Sequence, residues 1–298
     1  MVVTYRSLRK NIFIVPGSPI TLITKFDDCN WMIDPGMGGD RVNSLSNVLD
    51  RVNIRDYNIL VSHTHYDHVE TLTYFSGREI YVNEFEYSQL INPTVREQAT
   101  YGFNPLPRLL GLQQRLIPSY NVKTFSLANA GSLSSLKLLD LSGHSPGLTG
   151  VILDDVVFVG DALFGDVLLK RVGIPYHSDV FKSLRVLDDT LRVLSDKGFE
   201  AVLSHGPVIK NQKFGELIEF NIRRIKQVIE LLTNELDVGG TIEELTIKVL
   251  KSLGAEISAS SVYLGSVTTS SIVSKLFQDG RLDHAVCDVG VKWKLRRY

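Results

Sequence analysis

A mixed fold of the α+β class is predicted for this chain on three observations. Short apolar runs bounded by proline, glycine and aspartate recur through the first two thirds of the sequence and read as strands. Segments with apolar residues at helical spacing stand between and after them. Gly239-Gly240 then sets apart a closing stretch that carries helix signals first and strand signals last.

In chain order, residues 12–15, 20–26 and 31–33 are expected as strands, with Pro16-Gly17 and Asp27-Asp28 as turns. Asp34, ahead of Pro35-Gly36-Met37-Gly38-Gly39, either opens a turn or orients a metal-bound histidine from a strand end. Val42, Leu45, Val48, Leu49 and Val52 mark a helix over 41–55. Ile59-Leu60-Val61 is a buried strand, 69–75 a short helix and 79–82 a further strand. Residues 84–120 differ in character, with Pro93, Pro105, Pro107 and Pro118, the aromatics Tyr87, Tyr101 and Phe103, and the apolar patch 106–110. An insertion of that length reads as a lid or pocket wall, or else as a surface elaboration packed on itself.

Strands resume over 132–141, and 151–153 with 156–159 form a hairpin turning at Asp154-Asp155. An amphipathic helix over 179–197 is set by Val180, Leu184, Leu187, Leu191 and Leu194, and 201–203 is the next strand. A long helix covers 216–235. Past the glycine pair, Thr241-Ile242-Glu243-Glu244 is a capping box opening a helix. A second helix is expected at 268–278 and two short strands at 284–288 and 290–295. Two domains follow, 1–238 and 239–298.

The 298 residues are 44% hydrophobic and 22% charged, with a net charge of −1, which gives no general attraction to nucleic acid or anionic membrane. Cys29 and Cys287 form no disulfide framework, and Cys29 reads as a small buried hydrophobe. The first residues lack the build of a signal peptide, and no apolar run is long enough to span a bilayer. A cytoplasmic location with no membrane contact is the expectation.

The chemistry concentrates in Ser62-His63-Thr64-His65-Tyr66-Asp67-His68, directly after a buried strand. His63 and His65 share a face of an extended backbone, and Asp67 and His68 follow as the chain turns. Three imidazoles and a carboxylate within six positions suit Zn²⁺, Fe or Mn. Three more candidates, His144, Asp161 and His205, follow apolar strands and adjoin glycine, which lets the backbone turn sharply.

With these motifs in order, the chain resembles the metallo-β-lactamase-fold hydrolases over roughly residues 10–235. The resemblance rests on Ile33-Asp34-Pro35-Gly36, the His63–His68 motif, Gly143-His144-Ser145-Pro146-Gly147, Gly160-Asp161-Ala162-Leu163-Phe164 and Ser204-His205-Gly206. It implies a four-layer αββα sandwich with a two-metal site between the sheets. His63, His65 and His144 would hold one metal, Asp67, His68 and His205 the other, and Asp161 would bridge them. Asp67 would also orient a bridging hydroxide and pass a proton to the leaving group. The implied cofactor is two divalent ions, zinc first, with iron or manganese as alternatives.

Departures from the pattern narrow the reading. Asp161 stands where the main zinc β-lactamases carry Cys, and His65 stands where flavodiiron proteins carry Glu. The stretch 161–205 lacks the long insertion of the superfamily's nucleases. Gly165-Asp166-Val167 replaces the Cys-Gly element of glyoxalase II, which weighs against a glutathione thioester. The closing stretch resembles the small winged-helix module appended to some members, one of them RNA-cleaving. Val291-Lys292-Trp293-Lys294-Leu295 is either an edge strand guarded by lysines or a nucleic-acid contact.

His177 and Tyr176, in the loop past Asp161, are candidates for substrate contact or acid catalysis, with an exposed loop residue as the bland alternative. His284 reads as structural. The expected function is metal-dependent hydrolysis of an ester, thioester or lactone, acting on a small molecule. A phosphodiesterase or ribonuclease and a mononuclear iron oxygenase like the persulfide dioxygenases are the alternatives, and a homodimer is compatible with the closing module.

Overall fold

The computed structural model describes residues 5–75, 77–102, 117, 121–128, 132, 133 and 135–296. Two sheets carry the molecule. The first runs β1 (Arg6–Arg9), β2 (Ile12–Val15), β3 (Thr21–Thr24), β4 (Trp31–Ile33), β5 (Asn58–Val61), β6 (Ile80–Asn83) and β7 (Val122–Phe125), in that spatial order. The second comprises β8 (Ser132–Leu133), β9 (Leu136–Asp140), β10 (Thr149–Leu153), β11 (Val156–Gly160), β12 (Glu200–Leu203) and β13 (Val208–Ile209), in the order β13-β12-β11-β10-β9-β8.

The period-two alternation of each strand explains the layering. Leu60 points between the sheets, where Ile12, Leu22, Trp31 and Ile33 meet Leu138, Val151, Phe158 and Val202. Its neighbours Ile59 and Val61 point outward, onto Leu45, Val48 and Leu49 of the Arg41–Arg51 helix. On the second sheet Val157, Val159, Ala201 and Leu203 face the other way, onto Leu187, Leu191, Phe214, Ile218 and Ile222. Both faces of both sheets are thus covered, and the expected αββα sandwich is the fold.

The pairing of strands decides where the chemistry collects. β4 and β5 are parallel, as are β11 and β12, so within each pair the carboxyl ends lie at one edge. Backbone bonds then tie the two edges together. Thr149 N–H donates to the Ser62 carbonyl at 2.9 Å, and Ile20 N–H to the Ser204 carbonyl at 2.9 Å.

Several boundaries differ from the expectations, each for a physical reason. The strands expected over 132–141 are β8 and β9, which pair antiparallel as a hairpin. A helix at Asp166–Val172 and the edge strand β1 lack a strong apolar stripe and were not expected. The 179–197 helix forms with a π-turn over Val186–Leu191. The second closing helix is Ala259–Gln278, far longer than 268–278. Its serine-rich start reads as loop, yet Ser258 and Ser261 form a reciprocal capping box there.

Residues 84–102 of the insertion fold as a 3₁₀ turn (Glu84–Glu86) and helices Tyr87–Ile91 and Pro93–Tyr101, held by buried Arg96 donating to the carbonyls of Gln89 and Leu90. Phe103, Pro105, Pro107, Pro118 and the 106–110 patch lie outside the described residues.

The closing stretch is helix Ile242–Ser252, helix Ala259–Gln278 and the hairpin β14 (Leu282–Cys287)–β15 (Gly290–Leu295). The chain does turn at Gly239, whose φ is +93°. The apolar core nevertheless continues across it, because Leu245, Val249, Leu250, Ile272 and Leu276 share one cluster with Leu232 and Leu236 of the Gln212–Leu236 helix.

Candidate metal centre

The strand ends place the expected ligands in one cluster. His63 is fully buried at the end of β5, and His65 caps the Tyr66–Val69 turn that carries Asp67 and His68. His144 comes from the β9–β10 loop, Asp161 from the end of β11 and His205 from the end of β12. The ligand atoms of His63, His65 and His144 lie within 4.8 Å of one another, and so do those of Asp67, His68 and His205. Asp161 stands between the two groups. Its carboxylate is 3.5 Å from His144 Nε2, 3.5 Å from His205 Nε2 and 3.6 Å from His68 Nε2.

Hydrogen bonds set which nitrogen each ring offers. Asp34, at φ +51°, takes the Ser62 N–H (2.8 Å), the Ser62 hydroxyl (2.5 Å) and His68 Nδ1 (2.7 Å). His144 Nδ1 is held by the Tyr176 carbonyl at 2.9 Å, and His205 Nδ1 by Ser18 Oγ at 2.7 Å. In each case Nε2 is left facing the cluster, which is how outer partners orient ligand imidazoles. Asp34 is therefore placed as an orienting partner as well as at a turn.

The backbone needs glycine at this edge: Gly143 has φ +141°, and a Cβ there would overlap Ser183.

Electrostatics follow the same division. Burial, with neighbouring imidazoles adding to it, drives His63 well below its ordinary value; burial likewise holds His65 down to about 4 and His144 to about 3. These three rings are neutral at pH 7, the state that ligates a metal. For His68 burial also pushes down, but Asp34, Asp67 and Asp161 outweigh it and raise the ring. Burial pushes Asp67 up, and His68 and His205 overcome it to hold the carboxyl at about 2.

The residues fit a metal pair on their own terms. His63 Nε2, His68 Nε2 and Asp161 Oδ1 are buried with no hydrogen-bond partner among the described residues. Orphaned buried donors and acceptors are costly, and three converging on one point are answered by a cation. Six nitrogen or carboxylate side chains around Asp161 supply enough donors for two ions.

A cavity of about 490 Å³ opens beside the cluster. His65, Asp67, His144 and Asp161 form its floor, Tyr101, Phe164, Leu168 and Tyr176 part of its walls, and Arg171 lies at its edge. Tyr176 packs edge-on against His65 and His144, with centroids 4.9 and 5.1 Å away, and its hydroxyl donates to the Thr100 carbonyl.

His177 is placed differently from the expectation. It is 1% exposed, does not line the cavity, and is held by Ser183 Oγ at its Nδ1 and by the Thr268 hydroxyl at its backbone N–H. It buttresses Phe164 and His144 from behind. Tyr176 thus reaches the cavity and His177 the core. His284 packs on Phe277 and Trp293 in the hairpin.

Three contributors escaped the sequence reading. Ser18 carried no local signal. Ser62 was visible only as the residue ahead of His63. The closing stretch supplies Glu256, Ser258, Ser260, Ser261 and Leu264 to the cavity wall, which only the tertiary packing reveals.

The family model for the metallo-beta-lactamase superfamily matches residues 15–196. The chain belongs to that superfamily. It is similar to hydroxyacylglutathione hydrolase 1 of Vibrio vulnificus (strain YJ016), at 28% identity over 206 residues, 69% of each chain. Among solved structures, a metallo-beta-lactamase family protein of Thermus thermophilus matches with a TM-score of 0.71 and 17% identity, over 97% of this chain and 100% of that one. A beta-lactamase domain protein of Burkholderia ambifaria matches with a TM-score of 0.69 and 13% identity, over 98% and 93%. Both likenesses extend through the closing stretch. Among the described residues no helix is long and apolar enough to cross a membrane.

Proposed function

We propose that the chain is a hydrolase that uses two divalent metal ions, zinc first, to cleave an ester, thioester or lactone in a small molecule. The observation that carries this is the convergence of two candidate ligand trios on Asp161 on the floor of a cavity, with His63 Nε2, His68 Nε2 and Asp161 Oδ1 buried and without a hydrogen-bond partner among the described residues. When bound, the ion pair supplies a water of lowered pKa and a positive charge that polarises the scissile carbonyl.

The chain's own residues do the rest. We assign to Asp67, whose side chain is 31% exposed and lines the cavity, the acceptance of a proton from water and its release to the leaving oxygen or sulfur. The apolar wall of Phe164, Leu168, Val172, Ile174 and Leu264 suits an acyl chain, and Tyr176 closes the cavity over His65 and His144. A thioester stays within range through the likeness to a hydroxyacylglutathione hydrolase, although Gly165-Asp166-Val167 departs from that enzyme's usual sequence. The net charge of −1 weighs against a nucleic-acid substrate.

Metal content of the purified chain, paired with hydrolysis of a generic aryl ester and a bis-aryl phosphodiester, tests the proposal. About two metals per chain and an ester hydrolysis lost in Asp161→Ala are expected. Preference for the phosphodiester would move the assignment to phosphoryl chemistry. A metal-free chain that stays inactive when metals are added would reject it.

A further inference from the structure

We propose that Glu86 is a positioning residue that straps together the two loops bearing His63, His65 and His144, and so sets the geometry of one metal site. The inference rests on the metal-centre reading above. Glu86 ends the 3₁₀ turn that follows β6 and is completely buried. Its Oε2 accepts the Thr64 N–H at 3.2 Å and the Thr64 hydroxyl at 2.6 Å, while its Oε1 accepts the Gly147 N–H at 2.8 Å.

The two ends of this strap matter. Thr64 stands between His63 and His65 at the end of β5, in the first sheet. Gly147 lies three residues past His144, in the β9–β10 loop of the second. Three ligand atoms that must gather within 4.8 Å are therefore hung from two different sheets. A small shear between the sheets would separate them. One carboxylate, with an oxygen on each loop, opposes that shear.

The surroundings are built for this contact. The three donors are two backbone amides and a hydroxyl, none of them a cation, so the carboxylate is kept in a buried place at real cost. A Cβ at Gly147 would come within 2.8 Å of Glu86 Cγ and 3.0 Å of Asn83 Cγ, so only glycine allows the approach. An acceptor-only group is also required. A glutamine amide would turn an N–H₂ toward the Gly147 N–H or the Thr64 N–H and release one of those two backbone bonds at nearly constant volume, since the Thr64 hydroxyl alone can accept it.

Glu86→Gln and, as a second variant, Glu86→Ala in the full chain test the inference through two readouts. The first uses metal-free protein and hydrogen–deuterium exchange of peptides covering 62–66 and 145–149. Exchange should rise in both loops in Glu86→Ala, and in at least the released loop in Glu86→Gln, by roughly tenfold or more. The second is titration with Zn²⁺, and with Co²⁺ read by its absorption bands. Affinity for the first ion should fall about 10–100-fold and the bands should shift.

Unchanged exchange in both variants, or a rise confined to one loop in Glu86→Ala, would overturn the strap whatever the metal does. Looser loops with wild-type affinity and bands would overturn its role at the metal site. A wild-type chain that binds no metal would reject the metal centre, and with it the assigned role, while the exchange result still decides whether Glu86 couples the loops.

Discussion

At the scale of single residues, Asp34 ties the strand end to a candidate ligand ring through one side chain. It is fully buried and satisfies three donors, two from Ser62 and one from His68. Asp34→Ala orphans them, and a buried unpaired donor costs about 1–3 kcal/mol. The metal-free variant should lose about 3 kcal/mol or more in urea denaturation, with partial recovery in Asp34→Asn, whose amide oxygen still accepts. Zinc affinity should fall as well, because His68 loses the partner that fixes its ring. A wild-type urea midpoint in Asp34→Ala would remove Asp34 from this role.

The imidazoles make a pH prediction with a definite sign. His65 and His144 titrate at about 4 and about 3 in the folded chain, against about 6.5 when unfolded. The unfolded state takes up their protons first, so their contribution is full above about pH 6.5 and drains away toward pH 4 and 3. His68 and His205 are raised, so below about pH 6.5 both states carry their protons and they do not offset the loss. Metal-free protein should lose on the order of 2 kcal/mol per depressed imidazole between pH 6.5 and 5, and a urea midpoint flat across that range would contradict it.

Ligand types were legible because seven of them cluster or sit at strand ends. His177 and Tyr176 show the limit, since adjacent residues in an irregular loop face opposite ways and sequence carries no phase there.

At the scale of elements, strands with alternating apolar faces were legible almost to the residue, as Ile59-Leu60-Val61 illustrates. Helices announced by an apolar stripe were found too, whereas the Ala259–Gln278 helix was seen only in its second half. Its first turns are Ala259-Ser260-Ser261, held by a cap rather than by a stripe. That overlooked half forms the cavity wall through Ser260, Ser261 and Leu264.

The wall lines the cavity and supplies none of the candidate ligand side chains, so altering it should change binding more than chemistry. Leu264→Phe, which adds ring volume to the cavity, should raise KM for long-chain aryl esters about tenfold while leaving kcat and the KM for an acetyl ester near wild type. Equal losses in kcat for both esters would mean that the wall supports the metal floor instead of contacting the substrate.

At the scale of the whole molecule, the open matter is whether 239–298 is a second domain or a part of the first. The glycine pair argued for a boundary, and composition can say no more, because a turn between domains and a turn within one look alike in sequence. We propose one unit, on the strength of a shared core. Leu245, Val249, Leu250, Ile272 and Leu276 complete a core begun by the Gln212–Leu236 helix, and β15 bonds back to Gly240 through reciprocal amides with Trp293. The cavity depends on the same docking, since its far wall belongs to the closing stretch and its floor to the sandwich.

Cooperativity follows from a shared core, and the two tryptophans report on its two ends. Trp31 is 1% exposed between the sheets, and Trp293 lies in the terminal hairpin. In Trp293→Phe the remaining fluorescence follows the sandwich, and in Trp31→Phe it follows the closing stretch. Each single-tryptophan variant should show one midpoint by fluorescence that coincides with its own far-UV circular dichroism. A hairpin signal lost at lower urea, ahead of the sandwich, would establish 239–298 as an independent domain and make the cavity wall a docked, separable part.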